Sequence, residues 1–103
     1  VQDYLADIHR YDATADPAVI ERIVRYLGPA LRNRKSALVA CSEPADLARV
    51  AERWCARKLG VNDRQLCERV IALVCETMAG DHFKSRVTFY YLVAKHLGKL
   101  EAI

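Results

Sequence analysis

Apolar positions recur at helical spacing along most of the chain. Val19, Ile20, Ile23, Val24 and Leu27 make one stripe, with Glu21, Arg22 and Arg25 turned away from it. Leu66, Cys67, Val70, Ile71, Val74 and Met78 make a second. Tyr4, Leu5, Ile8 and Tyr11 share one face of a first helix expected over about Gln2 to Tyr11. Leu47, Val50, Ala51 and Trp54 line the inner side of a third helix, where Lys58 can lay its stem on apolar surface and keep its charge in water.

Punctuation divides these stripes. Asp16-Pro17 starts the second helix, Asp as the N-cap and Pro where a missing N–H costs nothing, and Gly28-Pro29 stops it. Ser42-Glu43-Pro44 opens the third with Ser42 as N-cap, and Gly60 closes it. Asn62 or Asp63 caps the fourth, which Gly80 ends. Residues 30–41 are the least regular stretch, and Leu38-Val39-Ala40-Cys41 reads as a short extended piece.

The fifth helix, from about Phe83 to Leu97, holds three consecutive aromatics in "RVTFYYLVAKHLGK". At about 100° per residue, Phe83, Val87, Tyr90, Tyr91, Ala94 and Leu97 fall within one arc. Phe89, Val93 and Leu100 widen it beyond half the circumference, leaving Lys84, Ser85, Thr88, Lys95, His96 and Lys99 with Leu92. So wide an arc belongs to a helix covered on several sides, not to a platform for stacking bases. The predicted fold is all-α: residues 1–103 form one domain, a compact bundle of about five short helices with the C-terminal helix central.

Composition changes this picture little. Apolar residues make up 52% and charged residues 28%, which suits a packed core rather than disorder. No run approaches the roughly eighteen apolar residues of a membrane span, and the N-terminus shows neither a basic leader nor an apolar segment. The four cysteines, Cys41, Cys55, Cys67 and Cys75, include no pair two residues apart. They read as four thiols in a reducing cytoplasm.

The net charge of +3 is unevenly spread. Residues 32–60 hold seven bases against three acids. Arg49, Arg53 and Arg57 recur every four residues on one outer stripe, and Arg32, Arg34 and Lys35 lie near them in sequence, enough to suggest grip on a phosphate backbone. A solvated face with Asp46 and Glu52 as local partners explains the same pattern, and the low net charge makes nucleic acid the weaker reading. The stretch from Gly28 to Ser36 fails as a phosphate loop, because Asn33 stands where a second glycine is needed and no strand precedes it.

Cys41 precedes a helix start, where the dipole favours a thiolate, so it is the candidate reactive thiol. Histidine and carboxylate spacings give no metal signature, and no cofactor is implied. Arg86 falls inside the apolar arc one turn before Tyr90, placed to stack on that ring or to pair with an acid from the first helix.

"RVTFYYLVAKHLGK", with Val39-Ala40-Cys41-Ser42 and the Arg57-Lys58-Leu59-Gly60 helix end, resembles a family of small bacterial proteins catalogued as domain of unknown function 2853. The likeness runs from about Ile20 onward and includes the Leu27-Gly28-Pro29 turn; Trp54 and the additional cysteines lie outside its pattern. It implies a bacterial, cytosolic, all-helical protein and carries no catalytic assignment. The expected function is therefore an interaction or structural module without catalysis. It would bind a protein partner or itself through Tyr26, Leu38, Val39 and Leu92, with weak nucleic-acid binding as the alternative and a thiol function third.

Overall fold

The computed structural model describes residues 3–103, so an expected helix start at Gln2 lies outside the described residues. Helix α1 (Tyr4–His9) begins where the Asp3 carboxylate accepts from the Ala6 N–H. Helix α2 (Pro17–Leu27) starts at the predicted Asp16, whose side chain accepts from Ala18 N. It ends at Gly28, which sits at φ 43°, a left-handed conformation that favours glycine. A 3₁₀ turn, Gly28–Arg32, leads into strand β1 (Leu38–Val39).

Helix α3 (Pro44–Arg49) continues without a break into a π-helical segment, Val50–Lys58. Its N-cap is Glu43 rather than Ser42, and no side chain caps it. The widened turns keep Val50, Ala51, Trp54, Cys55 and Leu59 on one buried face, and Leu59 N donates to Trp54 O, five residues back. Helix α4 (Arg64–Thr77) is capped by Asp63, whose carboxylate accepts from Leu66 N. Strand β2 (Lys84–Ser85) pairs antiparallel with β1, Leu38 opposite Ser85 and Val39 opposite Lys84. Helix α5 (Arg86–His96) follows, and a 3₁₀ turn, Leu100–Ala102, ends the chain.

Helix α5 is the centre of the bundle, and every residue from Arg86 to Ala94 is buried. Trp54, wholly buried, donates its indole N–H to the Tyr90 carbonyl at 3.0 Å and stacks on the Tyr90 ring at 4.6 Å. Three expectations about this helix are corrected. It starts at Arg86, because Lys84 and Ser85 are drawn into the β1 pairing, which leaves Phe83 58% exposed instead of in the core. The polar arc is confined to the end of the helix, where Lys95 and His96 are exposed, whereas Thr88 is buried and donates to Asp7 of α1. Leu92, expected at the surface, is buried too, because neighbours cover the helix all round.

The cysteine reading is also corrected. Cys41, in the loop before α3, and Cys75, on α4, form a disulfide with their Cα atoms 6.0 Å apart. Cys55 and Cys67 are the free, buried pair. Burial, and then the adjacent Cys67 thiol, push the Cys55 thiol up to about 12, which keeps it protonated and inert. Among the described residues, no helix is long and apolar enough to cross a membrane.

Candidate functional site

The least regular part of the sequence builds the site. The connector from Gly28 to Cys41 wraps the start of α5 and presents three backbone carbonyls to Arg86. Ala37 O accepts from the Arg86 backbone N–H at 2.9 Å, Ser36 O from Nε at 2.7 Å and Leu38 O from Nη2 at 2.9 Å. Nη2 also meets both Asp46 carboxylate oxygens, at 2.9 and 3.1 Å, and Nη1 reaches the Tyr90 hydroxyl at 3.3 Å. Arg86, as placed, meets one expectation and corrects the other. It lies over the Tyr90 ring, 5.6 Å from the centroid, but its acid comes from α3 and not from α1.

Asp46 is buried, yet fully partnered. Burial works against its charge, but the Ala40 N–H at 2.9 Å, Arg86 and the outlying Arg49 hold the carboxyl below its ordinary value. For Arg86 burial is the largest influence and opposes the charge, but Asp46 and Tyr90 together outweigh it and hold the guanidinium above its ordinary value. Burial raises the Tyr90 phenol, against the pull of Arg86, so it stays protonated. Arg86, Asp46 and Tyr90 thus form a neutralised, cross-linked floor joining α3, α5 and the connector.

Over that floor lies a cleft of about 770 Å³. Lys35 and Asn33 enter it from the connector, Arg49 and Arg53 from α3 and its π continuation, and Tyr26 with Leu27 from the end of α2. The rings of Tyr26, Trp54 and Tyr90 run from rim to floor, with Tyr26 tilted on Trp54 at 5.3 Å. Lys35 and Arg53 form no ion pair among the described residues, whereas Arg49 reaches Asp46 at 3.5 Å.

The structure therefore divides the six bases expected to act together. Lys35, Arg49 and Arg53 share this cleft, whereas Arg57 is exposed outside it. Arg32 and Arg34 line a second cleft of about 650 Å³, where Arg34 sits 5.4 Å over the exposed Phe83 ring and Ser85 Oγ is buried without a hydrogen-bond partner. The expected contact patch is divided too. Tyr26 is 44% exposed, Leu38 is half-buried with its carbonyl bound by Arg86, and Val39 and Leu92 are buried. Val39 is lost to the surface because β1 pairing turns it inward. Cys41 is tied in the disulfide and offers no free thiol. Asp46 and Tyr90 went unrecognised as site residues, and the oddly placed Arg86 was the one signal that pointed to them. Among the described residues, no group of three His, Cys, Asp or Glu side chains is placed to hold a metal ion.

Two further carboxylates hold α1 and its following loop to the rest. Asp12 accepts from the Tyr91 hydroxyl at 2.6 Å, the Thr14 hydroxyl at 2.7 Å and Lys95 at 3.1 Å, bonds that keep it well below the usual carboxylate range. Asp81 accepts from Arg10 and from the Tyr11 hydroxyl, and Arg10 first of all lowers it. These folded values lie below the unfolded one, so their stabilisation is complete above about pH 4 and is lost as pH falls towards the folded values. Thermal melts between pH 7 and 2 should show a midpoint that falls on the acid side. Asp12→Asn should flatten that fall, and an unchanged profile would remove Asp12 from the account.

A family model described as a protein of unknown function, DUF2853, matches residues 3–101, so the chain belongs to that family. No curated protein matches the sequence.

Proposed function

We propose that this member of the DUF2853 family is a small non-catalytic interaction module that recognises its partner through the cleft between the connector and α3. The observation that carries the reading is how the cleft is built. Lys35 and Arg53, without an ion pair among the described residues, and an exposed tyrosine stand at the rim, over a floor whose acid and base satisfy each other. An acid and a base that satisfy each other in this way favour a role in fixing the shape of the floor. Ser36, the hydroxyl side chain of the lining besides the tyrosines, already donates to Ala30 O at 2.6 Å. Mixed apolar and polar lining at this volume is typical of recognition sites.

The test is capture from a cell extract on immobilised protein, in parallel for wild type, the Tyr26→Ala/Arg53→Glu double variant and Leu73→Glu. Leu73 is exposed on α4 outside the cleft, so it serves as the surface control. A species lost by the double variant and kept by Leu73→Glu supports the reading, and one retained by both variants sinks it. Self-association would appear as a mass change in sedimentation that the double variant abolishes.

Nucleic acid is not the expected partner, since the six bases point into two clefts and open solvent instead of one track. Anisotropy titrations with labelled single-stranded and duplex DNA at physiological salt should show no binding. Micromolar affinity with a steep salt dependence, lost on changing Arg49, Arg53 and Arg57 to Gln, would reverse this. Cytoplasmic residence was inferred from four thiols, and the Cys41–Cys75 bond removes that support. The redox state of this pair in freshly quenched cells decides the compartment.

A further inference from the structure

We propose that the ligand of the cleft is a small aromatic oxyanion, a carboxylate or phosphate carried on a planar apolar body. The inference rests on the reading that this cleft is the recognition surface. Four bases, Lys35, Arg49, Arg53 and Arg86, and two acids, Glu43 and Asp46, line it, which leaves an excess of two positive charges. Arg86 and Asp46 cancel on the floor, so the excess resides at the rim on side chains from different elements. Lys35 on the connector and Arg53 on the π-helical segment are its unpaired members among the described residues. An anion seated between them completes two charge-assisted hydrogen-bond sets that the protein leaves open.

The floor asks for the same chemistry independently. Tyr90 is 4% exposed and lines the cleft; its hydroxyl accepts from Arg86, while its own proton has no acceptor among the described residues. A phenolic hydroxyl that already accepts can still donate, and a ligand oxygen seated here would take that proton. Between the polar Asn33, Ser36 and Glu43, the lining carries an apolar stretch made of the exposed Tyr26 ring, Leu27, Ala30 and Ala45. Trp54 packs tilted against the Tyr26 ring at 5.3 Å and the Lys58 ammonium lies 5.6 Å from its centroid, so a ligand meets the part of the ring that these two leave exposed. An aromatic body set against that exposed part gains an aromatic contact, edge-to-face or offset, that an aliphatic chain does not.

The test is an amide NMR titration of the full chain, disulfide intact, with benzoate, phenyl phosphate, inorganic phosphate and benzyl alcohol. Benzoate or phenyl phosphate should shift the amides of residues 33–36, 40 and 45–53 and saturate. Whichever of the two binds more tightly identifies the oxyanion. Lys35→Gln and Arg53→Gln, both exposed positions that leave the core intact, should each weaken that ligand about tenfold. Tyr90→Phe should weaken it while preserving the stack with Trp54. Benzyl alcohol binding as tightly as benzoate would remove the charge from the recognition, and inorganic phosphate matching phenyl phosphate would remove the aromatic body. Shifts centred elsewhere, or no saturable shift with any probe, would also overturn the proposal. If no probe binds while capture from extract still depends on Tyr26 and Arg53, this inference falls and the interaction module stands.

Discussion

Arg86→Ala is expected to cost about 3–5 kcal/mol, the largest single-residue loss at the site, because it removes one half of a buried ion pair and leaves the other half charged. Asp46 would remain buried with Ala40 N and the outlying Arg49 as its partners. The carbonyls of Ser36 and Leu38 would each lose a donor, and so would the Tyr90 hydroxyl. The loss is a large part of the about 5–15 kcal/mol by which small domains are stable. Arg86→Lys should rescue little, because one ammonium cannot reach Ser36 O, Leu38 O, Asp46 and Tyr90 together. Arg49→Ala provides the comparison: its contact with Asp46 is long and its side chain half-exposed, so it should cost under about 1 kcal/mol. Urea unfolding followed by far-UV circular dichroism measures all three. Equal, small losses for Arg86→Ala and Arg49→Ala would show that the pair does not anchor the connector.

How far this arrangement was legible depends on whether its causes are local. Asp16 and Asp63 announce helix starts because an N-cap acts on an N–H two or three residues away. Gly28-Pro29 marks the end of α2 for an equally local reason. The breadth of the apolar arc correctly placed α5 at the centre, but the wheel alone could not show that Thr88 finds its partner in Asp7, 81 residues away in sequence. With that partner present no side of the helix before Lys95 need be wet, and Leu92 goes inside. Phe83 failed for a related reason, since the β1–β2 pairing ended the helix before reaching it. At the site, the bases were visible as bases. Their division between two clefts depends on the connector's path, which carbonyls at Ser36, Ala37 and Leu38 determine and no side-chain pattern records.

The disulfide was the least legible feature, since a separation of 34 residues leaves no spacing signal, and it carries the second large expected effect. Closing a loop of that size removes chain entropy from the unfolded state, worth about 4 kcal/mol on the chain-entropy account. Reduction, or the Cys41→Ser/Cys75→Ser double variant, should lower unfolding stability by about that amount. The loss should be felt first in the connector, because Cys41 follows directly on Leu38 and Ala40, which hold Arg86 and Asp46. Alkylation with mass readout tests the pairing separately from its energetic effect. The native oxidised protein should resist labelling, since Cys55 and Cys67 are buried. Denaturant alone should expose these two thiols, and denaturant with reductant all four. Labelling of Cys41 in the native protein without reductant would dissolve the staple and restore Cys41 as a free thiol beside the cleft.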